Sequence, residues 1–222
     1  MDMIELIKKR RSIRAFTSEI PKRQTITECL EAATWAPNQS NQQPWKFIVL
    51  QGSKLNEVIG TIEENFSAAY QKREDSPQPH MTRKTGDILL ARKQETYLSI
   101  EDFFHDAGIE MKTVVQGNYR FHGAPMAVLF ATYGSQDNGF YASTVSAMEN
   151  FVLAATARGL GTCQMSAVFL CQEQIIHVLD LPSELILVGG VAVGYADDNA
   201  VQNRLPRTRL PVEEVTYWFK DE

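Results

Sequence analysis

Tyr141–Arg158 (YASTVSAMENFVLAATAR) most constrains the fold of this 222-residue chain. Its spacing predicts one long helix that is small or apolar nearly all round, with Gly159 turning the chain at its C-terminal end. A helix without a polar face needs cover on every side, so it lies at the centre of the fold or at a contact between subunits. That requirement calls for a sizeable core, and 222 residues supply one without a disulfide or metal staple.

The flanking elements alternate in type. Asp2–Arg10 and Thr25–Ala36 have helical periodicity, the second with Thr25 as cap, Glu28 completing a capping box and Pro37 as stop. Ser12–Phe16 is extended. Trp45–Gln51, Pro125–Thr132 and Leu185–Tyr195 are strand-sized apolar runs, and Ser53–Asn65 and Gln172–Leu179 are helical. Asp75–His80, with Pro77 and Pro79, is an exposed loop, Asp87–Lys112 a charged helical stretch or lid, and Val212–Phe219 a tail or strand. The expectation is one α+β domain over residues 1–222, with residues 64–116 as a variable lid or insert.

Several function classes drop out. The net charge, 22 − 27 = −5, argues against non-specific nucleic-acid binding. No apolar run approaches a membrane span, and no apolar signal core follows the charged opening residues. Cys29, Cys163 and Cys171 form no CxxC, so a reduced, cytoplasmic protein is expected. The four histidines have no metal-ligand spacing and no G-x-S-x-G elbow occurs. Gly189, Gly190 and Gly194 match neither a Walker loop nor a dinucleotide fingerprint, and suit close backbone packing within a strand.

Three polar segments remain. In Arg10-Arg11-Ser12-Ile13-Arg14, alternate side chains of an extended stretch share a face, so two guanidiniums and a hydroxyl could meet a phosphate and a polar ring edge. Pro37–Pro44 is an amide-rich loop between two prolines. Arg207-Thr208-Arg209-Leu210-Pro211 is a second basic cluster. Each alone also reads as solvated surface.

Together they resemble the nitroreductase family of flavoenzymes. The matching pieces are R-R-S-I-R with Phe16 two residues on, and A-P-x-x-x-N-x-Q-P-W running into a strand. Gly123-Ala124-Pro125, Ala154-Ala155 through Thr162, Gly189 through Tyr195, and R-x-R-x-P followed by Val212-Glu213-Glu214-Val215 complete the series. The resemblance implies an α+β homodimer, its sheet flanked by helices, with two FMN sites built from both subunits. It would reduce planar electron-poor acceptors, nitroaromatics and quinones among them, in a ping-pong reaction with NADH or NADPH as donor. Carried over, Arg10 and Arg209 would hold the FMN phosphate, with Arg207 nearby. Arg11 and Ser12 would line the ribityl chain and ring edge, and Arg14 would face the N1/O2 side of the ring. Gln164, Met165 and Ser166 fall where the family offers backbone N–H to N5, and Pro37, Asn38, Asn41 and Gln43 would come from the partner subunit. Asn38 stands where serine is common in the family. A reductive dehalogenase or flavin-fragmenting enzyme on the same scaffold, a non-catalytic FMN-storage protein and a scaffold without cofactor are the alternatives.

Overall fold

A computed structural model describes residues 2–74, 83–134 and 138–219. The loop expected at Asp75–His80 lies outside them. Besides four short 3-10 turns, eight α-helices and four strands are described, in order: α1 (Met3–Lys9), α2 (Arg23–Thr34), β1 (Trp45–Gln51), α3 (Gly52–Glu74), α4 (Arg83–Asp106), α5 (Met111–Gly117), β2 (Met126–Tyr133), α6 (Asn138–Ala157), β3 (Gly161–Met165), α7 (Ala167–Leu170), α8 (Gln172–Val178) and β4 (Leu185–Gly194).

The four strands form one antiparallel sheet in the order β1-β2-β4-β3. Both faces are covered. Val128, Phe130, Val191 and Val193 face α2 and α6, meeting Ala147, Phe151 and Ala155. Ala127, Leu129, Leu187 and Ala192 face α3, α7 and α8, meeting Val58, Ile62, Val168 and Ile175. Burial on both faces explains why β2 and β4 are apolar at almost every position rather than at alternate ones. Gly190 sits where a Cβ would approach Val168 Cγ2 to 2.7 Å, so its lack of side chain lets α7 pack on the sheet.

Within one protomer, α6 is buried along one face and open along another. Ser143, Thr144, Ala147, Met148, Phe151, Val152 and Ala155 are buried, while Tyr141, Ala142 and Val145 stay exposed. Gly159, at φ +76°, reverses the chain after α6, and Leu160 N–H then bonds Ala155 O at 2.9 Å.

Other boundaries differ for local reasons. α2 begins at Arg23 after Lys22, without a side-chain cap. The capping box at Thr25 and Glu28 therefore does not form, and Glu28 instead accepts from Arg158 Nε at 2.8 Å. α3 runs nine residues past Asn65, and Phe66 in that extension packs at a tilt against Tyr119, ring centroids 4.3 Å apart, and stacks on Tyr70. The stretch expected at Asp87–Lys112 divides into α4 and α5. β3 was not expected at all. Val212–Phe219 makes one short 3-10 turn and no strand, leaving Tyr217, Trp218 and Phe219 exposed. Among the described residues no helix is long and apolar enough to cross a membrane.

Candidate cofactor site

The segment after α1 runs along the free edge of β3. Ser12 bridges Thr162 in parallel and Ile13 N–H bonds Thr162 O at 2.8 Å. Ile13 fills the space over Gly161, where a Cβ would come within 2.9 Å of its side chain. The buried Ile13 thus seats a chain whose neighbours are Arg11, Ser12 and Arg14.

Residues 203–209 return to the same place. Arg11 Nη2 donates to Leu205 O at 2.6 Å. Arg207 donates to Lys8 O at 2.8 Å and also to Arg10 O. Arg207 therefore ties the two segments together through backbone carbonyls. Its guanidinium is held below the usual arginine range, first by burial and then by the charges of Arg11, Arg10 and Arg209. Four guanidiniums thus converge, and the carboxylate that approaches them is Glu149 of α6, with its Oε1 3.9 Å from Arg10 Nε. Glu149 Oε2 also accepts from Gln164 Nε2 at 3.1 Å.

The end of β3 completes this side. Met165 turns its side chain into the core, while Ser166 is exposed just beyond the strand. Any contact Met165 makes with a ligand falls to its backbone. Cys163 is buried beside Ser12 and Arg14, and burial pushes its thiol up, against the pull of Arg14. Such a thiol is a poor nucleophile.

Arg14 opens onto a cavity of about 260 Å³ that is also lined by Gln116, Gly117, Arg120, His122 and Gln202. Phe121 and His122 both take positive φ, 48° and 52°. This turns His122 inward against Gly117, where a Cβ would come within 2.4 Å of its Nδ1. Its Nε2 is buried without a hydrogen-bond partner. Burial, then the charge of Arg14, pushes its pKa down to about 4, so the imidazole is neutral near pH 7.

The amide loop stands elsewhere. Asn38 Oδ1 accepts Gln43 N–H at 2.9 Å, Gln43 Nε2 reaches Asn41 Oδ1 at 3.3 Å, and Gln39 N–H bonds Ser143 Oγ at 3.2 Å. These bonds, with Ser40, Asn41 and Gln43 at positive φ, hold the loop between Pro37 and Pro44 in one shape. The loop leads into β1, at the sheet edge opposite β3, about three strand spacings or roughly 14 Å away. No hydrogen bond or ion pair joins it to the arginine cluster among the described residues.

Arg10, Arg11, Ser12, Arg14, Gln164, Met165, Ser166, Arg207 and Arg209 are therefore gathered at one edge of the sheet, and Pro37, Asn38, Asn41 and Gln43 at the other. Sequence reasoning missed Glu149, His122 and Asn203. A single acid on a helix otherwise small and apolar was a usable signal for Glu149. His122 and Asn203 carry none, because their burial depends on turns that local pattern does not encode.

Comparison with known proteins gives a consistent result. Residues 7–195 match the model of the nitroreductase family. A 4-nitrobenzoate reductase of Pseudomonas putida is 30% identical over 98% of this chain and 96% of its own length. A nitrobenzene nitroreductase of Ectopseudomonas oleovorans is 26% identical over 96% and 94%. Among solved structures, a point variant of the FMN- and NADPH-dependent nitroreductase NfnB from Sphigopyxis sp. strain HMH superposes with a TM-score of 0.83 at 25% identity, covering 98% of this chain and 99% of that one. The chain belongs to the nitroreductase family.

Proposed function

We propose that this protein is an FMN-dependent oxidoreductase that takes electrons from NADH or NADPH and passes two at a time to nitroaromatic and similar planar, electron-poor acceptors such as quinones. The observation that carries the reading is the convergence of Arg10, Arg11, Arg207 and Arg209, met among the described residues by the single half-exposed carboxylate of Glu149. Such a donor set fits a phosphate, and the family and the names of the relatives supply the rest.

Bound FMN would supply the two-electron chemistry. Arg10 and Arg209 would hold its phosphate, each charged hydrogen bond contributing about 1.5–3 kcal/mol. Arg11 and Ser12 would border the ribityl chain. Backbone N–H groups at Gln164–Ser166 would meet the ring, a role open to Met165 although its side chain is buried. Arg14 would place positive charge at the pyrimidine side and favour the reduced state. Nucleotide and acceptor would use one stacking surface in turn, giving ping-pong kinetics.

Pro37, Asn38, Asn41 and Gln43 belong to this reading only if a second copy brings its loop to the site, since the protomer's own loop lies at the other sheet edge. The exposed Tyr141 and Val145 of α6, with Tyr217, Trp218 and Phe219, offer apolar surface for that homodimer. Residues 1–222 act as one domain in this reading, with residues 64–116 as its variable lid. The three buried, unpaired cysteines suit the cytoplasm.

Anaerobic titration with NADPH and then NADH tests the reading. The flavin band of the purified protein should bleach with at least one of them. A band that persists with both points to FMN storage, and failure to take up FMN refutes the reading. Arg14→Ala should lower the flavin potential more than FMN affinity, and Arg209→Ala the reverse.

A further inference from the structure

Asn203 belongs to a polar stretch, Asp197–Arg204, yet only 8% of its surface is exposed. Its side chain makes four hydrogen bonds. Oδ1 accepts from Arg14 N–H at 2.7 Å and Ala15 N–H at 3.1 Å. Nδ2 donates to Ala15 O at 2.8 Å and to Asp197 O at 2.9 Å. A primary amide offers two N–H groups and two lone pairs, and all four are used.

Apart from Asn203, the segment is held by backbone bonds from Ile13 N–H to Thr162 O, Thr17 N–H to Tyr195 O and Asp197 N–H to Ala15 O, none of which engages the Arg14 or Ala15 amide. Residues 12–16 are bridged to the rest of the fold at Ser12↔Thr162 and Phe16↔Ala196, and between those bridges the amides of Arg14 and Ala15 meet no strand. Asn203 takes the place of a strand there. Beyond Cα, the Arg14 guanidinium is guided by one long bond, from Nη1 to Ser12 O at 3.4 Å. Its direction into the cavity is therefore set mainly by its backbone. The next residue from Asn203, Gln202, lines that same cavity.

We propose that Asn203 is a positioning residue for the redox reaction: by clamping the Arg14–Ala15 backbone it aims the Arg14 guanidinium at the flavin's pyrimidine edge. The inference rests on the role given to Arg14 above. Aspartate cannot substitute, because it would set a carboxylate oxygen against the carbonyls of Ala15 and Asp197. Alanine removes all four bonds.

The test is a double-mutant cycle read on the two-electron potential of the bound flavin, with FMN affinity measured alongside. Arg14→Ala should reduce the preference for reduced over oxidised flavin about tenfold, equivalent to ~30 mV. Asn203→Ala should shift the potential in the same direction by at least threefold. On the Arg14→Ala background it should add nothing. An undiminished effect there overturns the clamp, because Asn203 would then act by another route. A shift from Arg14→Ala with none from Asn203→Ala also overturns the clamp and leaves the reading of Arg14 standing. No shift from Arg14→Ala overturns that reading, and the inference with it. Hydrogen exchange of the unsubstituted protein decides the matter if Asn203→Ala does not fold. The Arg14 and Ala15 amides should then be protected to the level of the β3–β4 ladder, and free exchange would overturn the clamp.

Discussion

Among the described residues, Glu149 is the carboxylate that forms an ion pair with the arginine cluster, and removing its charge should tighten FMN binding. Its Oε1 lies 3.9 Å from Arg10 Nε, with the two side chains 46% and 22% exposed. At that separation the attraction is ~4 kcal/mol for an effective dielectric of 20 and ~1 kcal/mol in water. Exposure of nearly half the Glu149 side chain puts the pair near the lower figure. A phosphate taken by Arg10 sits slightly farther from Glu149 and carries up to two charges. At about 6 Å in a water-like dielectric the repulsion is roughly 0.7 kcal/mol per charge. Glu149→Gln keeps the size and an oxygen for Gln164, and removes this repulsion. Fluorescence titration of apoprotein with FMN should show about three- to tenfold tighter binding. The gain should fade between about 0.01 M and 1 M salt, as the screening length falls from roughly 30 Å to 3 Å. Unchanged or weaker binding at low salt would refute the argument, placing the phosphate beyond the reach of Glu149.

Three further outcomes follow from the packing and the site. Gly190→Ala forces a Cβ to 2.7 Å from Val168 Cγ2 and 3.2 Å from Leu129 and Phe121; calorimetry should show a loss of about 1–3 kcal/mol, and at ~2–4 °C per kcal/mol a Tm lower by roughly 2–12 °C. His122 is folded with its pKa lowered from 6.5 to about 4, so the unfolded chain binds the extra proton and stability is complete above pH 6.5 and is lost as pH falls toward 4. Unfolding free energies from urea titrations across that window should drop by about 2–3 kcal/mol in the parent and by clearly less in His122→Gln. Val145→Asp places a carboxylate on the open face of α6; sedimentation should show the homodimer dissociating and FMN lost with it, and an intact dimer would remove this face from the interface.

The strands β1, β2 and β4 were legible because each is a long apolar run, and a strand buried on both faces leaves that mark wherever it lies. β3 has five residues, begins at a glycine and carries Gln164 outward, so nothing in its pattern separates it from a loop. It becomes a strand through its pairing with Gly190–Gly194. The two basic segments were legible as a pair, since arginines at both ends of an acidic chain suggest a shared place, and the structure brings residues 8–11 and 205–207 into contact. Their division of labour was not. Arg207 has the same composition signal as Arg209, yet is engaged by backbone carbonyls of residues 8 and 10. The helix at Tyr141–Arg158 announced its need for cover, and one protomer supplies that cover on a single face.

The contacts from Arg207 to Lys8 and Arg10, and from Asn203 to Arg14, span nearly 200 residues. During synthesis the first of these segments leaves the ribosome early and waits through the emergence of every strand of the sheet. The proposed anion site could not close until residue 209 is free. Cofactor capture at that site would therefore be among the last events of maturation, after the core is in place. Under the proposed function, a ligand captured there would add RT ln(1 + [L]/Kd) to the cohesion of that seam, so FMN supply would govern how far a newly made chain is protected from proteases there.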